Sequence, residues 1–287
     1  MELKILSWNI RAFSSCVKYK GNGLLILGET MKGYDLIVIY EISSGIEGSK
    51  ALDDLTRKLT LQDPIRTYKS FYHASGGLGK ENDRIGVIYD SNVIDVTNTT
   101  RARRFPSTAG GRRPIYMSVS PKGQKSPTWE FCAWHAPEPK SGSSSIAQEW
   151  QYLGKTLNTA PDDRQTAVIM GDFNADFHTQ PLTTPPGYNV QIEDGYTTLL
   201  PLNRGFFNTL DDRYTANLYD NFFLYKAHKG TFKDVIPMLE RIQEGYYPLE
   251  GGRRTYDTVM KIGEFYVKTI SDHVPVELTV ELKDTDD

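Results

Sequence analysis

Short apolar runs, each meeting a single ionisable or amide side chain at one end, recur along this 287-residue chain. Ile5–Trp8 runs into Asn9, Leu36–Tyr40 into Glu41, Phe131–Trp134 into His135, and Ala167–Met170 towards Asp172 and Asn174. Asp220 interrupts Leu218–Leu224, and Asp272 and His273 precede Val274–Leu278. Runs of this length, rich in β-branched and aromatic residues, read as buried strands. Strands are expected at Lys4–Ile10, Leu36–Glu41, Phe71–Ala74, Ile85–Asp90, Ile115–Ser120, Trp129–His135, Thr166–Gly171, Leu218–Tyr225 and Val267–Val280. These are too numerous for a simple doubly wound sheet, so the class is mixed α/β. Leu52, Leu55 and Leu59 recur at helical spacing. So do Ile146, Trp150, Leu153 and Leu157, which predicts an amphipathic helix over Ser145–Asn158 with serines ahead of it to cap its start. Phe232–Gln243 is one more candidate helix, interrupted by Pro237. No change of composition marks a linker. One domain over residues 1–282 is expected, followed by a short acidic tail at 283–287.

Composition excludes several classes of function. The formal net charge is −3, so bulk electrostatics does not draw the chain to nucleic acid or to an acidic membrane. Charge is nevertheless patterned. Arg101, Arg103, Arg104, Arg112 and Arg113 crowd into one loop-like stretch, where they read either as a solvated loop or as a local phosphate-contacting patch. No apolar stretch approaches the ~18 residues of a membrane-spanning helix. The two cysteines, Cys16 and Cys132, make no disulfide framework, and Cys132 reads as a small core hydrophobe. Met1, Glu2 and Leu3 lead straight into a strand without the basic and apolar regions of a secretory signal, so a cytoplasmic setting is expected. A monomer is expected as well.

The polar residues at the strand ends make a chemical inventory. Carboxylates and amides are hard oxygen ligands that suit Mg²⁺ or Mn²⁺ rather than zinc. Two imidazoles supply an acid and a base near neutral pH. Arginine and a dication balance charge on a phosphoryl group. Each residue alone is more often a turn or a solvated strand end; together they point to metal-assisted phosphoester hydrolysis.

Three strings carry a resemblance. Ser7-Trp8-Asn9-Ile10, Gly171-Asp172-Phe173-Asn174-Ala175 and Ile270-Ser271-Asp272-His273-Val274-Pro275-Val276-Glu277 resemble, in order, the signature motifs of the endonuclease/exonuclease/phosphatase superfamily. Trp134-His135-Ala136-Pro137, Asp83-Arg84-Ile85-Gly86-Val87-Ile88-Tyr89, Arg112-Arg113-Pro114 and Tyr219-Asp220 resemble segments of its deoxyribonuclease I-like branch. The resemblance implies a four-layer α/β sandwich, with two packed mixed β-sheets flanked by helices. It implies Glu41 as principal metal ligand, with Asp272 and Asn9 beside it. It implies that Asp172 and Asn174 position the scissile phosphate, the attacking water or a second metal. Asp83 would orient His135 and Asp220 would orient His273, with His273 as base and His135 as acid. Arg112 would contact the substrate phosphate. Asp172 and Asn174 lie two residues apart, so on an extended chain they would face one way.

The implied activity is Mg²⁺- or Mn²⁺-dependent hydrolysis of a phosphodiester by a nuclease acting on DNA. The alternatives are a phosphoinositide phosphatase, a sphingomyelinase-like lipid phosphodiesterase, and a catalytically silent binding protein. Departures bear on the substrate. Ser43 stands where the branch carries a groove-entering arginine, and Glu81 where it carries a tyrosine. The family's disulfide near Asp172 is absent, and its calcium sites find no matched residues here, so calcium as a cofactor has no residue support.

Overall fold

The computed structural model describes residues 1–14, 22–74, 84–100, 112–136, 166–175, 184–185, 187–193, 197–198, 218–235 and 270–283. Strands β1 (Glu2–Phe13), β2 (Leu36–Ile42), β3 (Tyr68–Ala74) and β4 (Arg84–Asp90) belong to a first sheet with β11 (Lys229–Val235) and β12 (Val276–Glu281). Its six strands run in the order β11-β12-β1-β2-β4-β3. A second six-stranded sheet, ordered β5-β6-β7-β8-β10-β9, comprises β5 (Ile94–Asn98), β6 (Ile115–Pro121), β7 (Trp129–His135), β8 (Thr166–Asp172), β9 (Tyr188–Val190) and β10 (Asp220–Tyr225). Each sheet is mixed. β1 pairs with β2 and β7 with β8 in parallel, and the other pairings are antiparallel.

Alternation along the strands makes the layers. Leu36, Val38 and Tyr40 of β2 face inward, with Ile5, Val87, Met117, Phe131, Val168, Met170 and Phe222, into one core between the sheets. The odd partners Ile37 and Ile39 face outward with Leu6, Trp8 and Ile10, and are covered by helices α1 (Asn22–Met31) and α2 (Ile46–Gln62). Helix α2 buries Leu52, Leu55 and Leu59, as their spacing predicts. The outer face of the second sheet carries a third cluster with Cys132, Trp134, Ile169, Phe173 and Phe223. Cys132 is thus the buried hydrophobe that the sequence suggests. The helix expected over Ser145–Asn158 lies outside the described residues.

Two expectations need correction, and one element was not expected. Lys229–Val235 is a strand paired antiparallel with β12, not the start of a helix over Phe232–Gln243. Its pairing with a central strand supplies backbone partners that overrule local pattern. The last strand begins at Val276, so Ile270–Pro275 is the turn that brings His273 to the sheet end rather than part of a long strand. Helix α1 has no counterpart in the sequence reading. Its consecutive apolar residues Leu24–Leu27 show no helical period, and its Gly28 permits close packing against Gln62 of α2.

Candidate active site

Strand direction gathers the polar residues at one end of the sandwich. The regular register of the parallel pair β1–β2 breaks just past Asn9 and Tyr40, beside Glu41, and the parallel pair β7–β8 ends at His135 and Asp172. Antiparallel β10 starts where β8 stops, so His135, Asp172 and Asp220 are consecutive register partners across the second sheet. Antiparallel β12 starts beside Ser7, which carries the preceding His273 to the same end.

The side chains then close on Asp172. The Asn9 amide donates from Nδ2 to Asp172 Oδ2 at 2.9 Å and to Glu41 Oε1 at 3.2 Å, bridging the two sheets. His135 Nε2 and His273 Nε2 stand 3.6 and 3.7 Å from the same Asp172 oxygen. His273 Nδ1 and Asp220 Oδ2 are 2.8 Å apart. Arg112 Nη1 donates to the Ala136 carbonyl at 3.0 Å and lies 2.5 Å from His135 Nε2. A guanidinium can only donate, so His135 Nε2 accepts and its ring proton sits on Nδ1. The ring of Tyr40 packs edge-on beneath His135, with centroids 6.2 Å apart.

Three backbone positions near the cluster are strained: Ala12 has φ of 52°, Glu41 of 60° and Asn174 of 48°. The first two lie where the β1–β2 register breaks, and there the amide of Ala12 donates to Glu41 Oε2 at 3.2 Å. A left-handed glutamate costs on the order of 1 kcal/mol. At Asn174 the turn replaces the extended geometry expected there. The Asn174 amide donates to Asp172 Oδ1 at 2.9 Å, and its side chain turns to the Ala136 carbonyl at 2.7 Å. Asn174 thus fixes the loop after His135 rather than pointing alongside Asp172.

Asp272 stands at the rim. Its Oδ2 pairs with Arg11 at 3.1 Å, and both side chains are partly exposed. Asp172, rather than Asp272, is the carboxylate linked through Asn9 to Glu41. Asp83, Arg101, Arg103 and Arg104 lie outside the described residues. Three residues that sequence reading left without a role hold the cluster together. Ser271 Oγ donates to the Asn9 carbonyl at 2.7 Å and accepts from the His273 amide at 3.0 Å. Trp8 Nε1 donates to the His273 carbonyl at 3.1 Å. Thr197 Oγ1 accepts from the amides of Tyr219 and Asp220 at 3.0 and 2.9 Å, and its carbonyl accepts from Val274. Ser271 and Trp8 lie inside the motif strings, but no pattern identifies a neutral residue as a clip. Thr197 had no signal at all.

The same fold recurs in solved structures. One is an endonuclease/exonuclease/phosphatase family protein from Leptotrichia buccalis, 17% identical over 98% of this chain and 100% of that one, with a TM-score of 0.61. The chain has the endonuclease/exonuclease/phosphatase fold. D. rerio TDP2, solved with a single-strand DNA product, is 15% identical over 98% of this chain and 99% of that one, with a TM-score of 0.55. The inositol polyphosphate 5-phosphatase domain of SpSynaptojanin, solved with inositol (1,4)-bisphosphate and calcium, is 12% identical over 98% and 86%, with a TM-score of 0.56. No family model matches the sequence, and no curated protein matches it significantly.

On this endonuclease/exonuclease/phosphatase scaffold the site has the donors for a divalent ion. Asp172, Asp220 and His273 each offer a ligand atom within 4.8 Å of the others. Two of these three are already joined by the His273–Asp220 hydrogen bond. Glu41 and Asn9 beside Asp172 would add oxygen ligands of the kind a hard cation takes. Asn9 Oδ1 is buried with no hydrogen-bond partner among the described residues, as is Asp220 Oδ1. An orphaned buried oxygen is costly, and cation ligation removes that cost at Asn9.

Charge within the cluster separates the two histidines. Burial works to lower the His273 pKa, but the Asp220 and Asp172 carboxylates outweigh it and raise it to about 10. Burial, with the neighbouring Asp172 charge, raises Asp220 to about 6 against the pull of His273. Without a metal, His273 is therefore the protonated imidazole, while His135 Nε2 faces the Arg112 guanidinium. The folded protein then holds protons that the unfolded chain releases. The His273 contribution to stability is fully present below its unfolded pKa of about 6.5 and is lost as pH rises towards 10. In chelator, the urea midpoint is expected to fall between pH 7 and 9.5, and His273→Gln is expected to flatten that slope. A midpoint that rises with pH over this window would contradict the ion pair.

Proposed function

We propose that this protein is a metal-dependent phosphodiester hydrolase, a nuclease that cuts DNA. The observation that carries this reading is the placement of two imidazoles from different sheets on one oxygen of Asp172, at 3.6 and 3.7 Å. One neutral and one protonated imidazole at a single carboxylate are the pair that in-line hydrolysis needs. Glu41, Asn9 and Asp172 would hold Mg²⁺ or Mn²⁺. When bound, that ion polarises a phosphorus–oxygen bond and offsets developing charge.

The remaining steps belong to the side chains. Arg112 leaves His135 Nε2 for a phosphate oxygen, which frees that nitrogen to take a proton from water. The water oxygen attacks phosphorus and the bond to the leaving oxygen breaks. His273, held through Nδ1 by Asp220, gives its Nε2 proton to that oxygen. Both imidazoles then return to their starting states through solvent. The TDP2 likeness, with its single-strand DNA product, supports a nucleic-acid substrate. The likeness to an inositol polyphosphate 5-phosphatase domain favours a second reading, the same chemistry on a phosphoinositide.

Incubation of purified protein with supercoiled plasmid and Mg²⁺ tests the first reading. Nicking is expected, with its abolition by chelator and a loss on the order of 10²–10⁴-fold in His135→Ala. Absence of nicking by the wild type, or equal nicking by His135→Ala, would overturn it. Phosphate release from inositol lipids without nucleic-acid cleavage would establish the second.

A further inference from the structure

Beside Glu41, the first sheet carries an exposed stack of a guanidinium on an aromatic ring that the chemistry above does not use. Arg84 opens β4 and pairs in register with Ile42 on one side and Ala74 on the other. It therefore lies opposite Ile42, the residue after Glu41, across one strand spacing of ~4.8 Å. Its Cζ sits 4.7 Å from the centroid of the Tyr72 ring. Its Nη1 donates to the Gly45 carbonyl at 3.1 Å and to Ser49 Oγ at 3.3 Å, which fixes the plane of the cation.

The adjoining turn is closely packed. Gly48 packs so tightly under it that a Cβ there would meet the Ser43 carbonyl at 2.0 Å. The turn presents Ile46, 79% exposed, next to Gly45, and Tyr72 is 43% exposed. Scattered apolar side chains on a surface are ordinary. A ring capped by a hydrogen-bonded cation, with an exposed apolar side chain next to the residue that accepts from that cation, at the same sheet end as the reacting centre, is a surface with a defined chemistry. Ring and guanidinium faces stack on nucleobases, and the guanidinium charge complements phosphate. A paired duplex hides its base faces, so this surface suits an unpaired base.

We propose that Tyr72, Arg84 and Ile46 dock an unpaired nucleotide adjoining the scissile phosphate, so that single-stranded nucleic acid is cut in preference to duplex. This rests on the nuclease reading above and adds the strandedness that the reacting residues do not specify.

Steady-state kinetics under Mg²⁺ on a single-stranded oligonucleotide, the blunt duplex of the same sequence, and bis(4-nitrophenyl) phosphate test it. Tyr72→Leu, a surface change, is expected to raise KM for the single strand on the order of tenfold, with a much smaller effect on kcat and on the duplex. Tyr72→Phe keeps the ring and is expected to restore the wild-type KM. An unchanged KM in Tyr72→Leu, an equal rise for strand and duplex, or a failure of Tyr72→Phe to restore KM would each overturn the proposal. A wild type that hydrolyses the small diester but neither nucleic acid would instead overturn the nuclease reading, and this proposal with it. A wild type that cuts the single strand while only Tyr72→Leu loses affinity for it upholds both.

Discussion

Asp172→Asn is expected to lower kcat for phosphodiester cleavage by about 10³-fold or more. The substitution keeps the shape of a side chain that is 1% exposed but removes the charge on which the site converges. Asp172 Oδ2 accepts from Asn9 and faces both imidazoles, and its Oδ1 caps the turn at Asn174. An amide can keep the bond to Asn174. It cannot accept from Asn9 on its other arm, because two NH₂ groups would then face one another. The substitution also removes one of the carboxylates that raise the His273 pKa, so the imidazolium becomes easier to deprotonate in the metal-free protein. Plasmid-nicking rates and titration of Mg²⁺ dependence measure the effect, with a thermal melt to check folding. A folded Asp172→Asn with a rate within tenfold of wild type would remove Asp172 from the centre of the mechanism.

The second large effect is structural. Gly171→Ala is expected to destabilise the fold by about 3 kcal/mol or more and to lose activity with it. Gly171 pairs in register with Trp134 between the parallel strands β7 and β8. A Cβ at 171 would lie 1.9 Å from the Trp134 carbonyl oxygen and 2.9 Å from its carbon. Both are backbone atoms, so no side-chain rotation relieves the contact and the strands must part. The next register pair is His135 with Asp172, so the same displacement pulls the site open. Against a typical total stability of roughly 5–15 kcal/mol, that loss is large. Urea unfolding, followed by near-ultraviolet circular dichroism, reads it directly. A wild-type midpoint and wild-type rate in Gly171→Ala would refute the close approach of the two strands.

This glycine shows how much of the site was legible in the sequence. Gly171-Asp172-Phe173-Asn174 stood out as a string, and Asp172 as its functional residue. That Gly171 is required by a neighbouring backbone, and that Asn174 turns back to Ala136 instead of pointing beside Asp172, follow from contacts between segments far apart in the chain. Asp272 is a similar case. Its neighbour His273 reaches the cluster, while its own carboxylate swings to Arg11 at the rim, since adjacent residues in a turn need not share a direction. The start of the helix expected over Phe232–Gln243 is a strand for another reason. Lys229–Val235 gains ladder hydrogen bonds from β12, whose register partners lie 41 to 52 residues further along the chain, a separation that local periodicity does not register.

The sequence by itself determined the chemistry available to this protein and the strands that carry it. Apolar runs must be buried, and a polar residue at the end of a buried run must emerge at a sheet edge. Tertiary structure decided which of those edges coincide. Two parallel strand pairs, each met by an antiparallel neighbour, bring Asn9, Glu41, His135, Asp172, Asp220 and His273 to one end. The roles within that group followed only then. The protonation of an imidazole depends on the charges a few ångströms away, and those charges come from other parts of the chain.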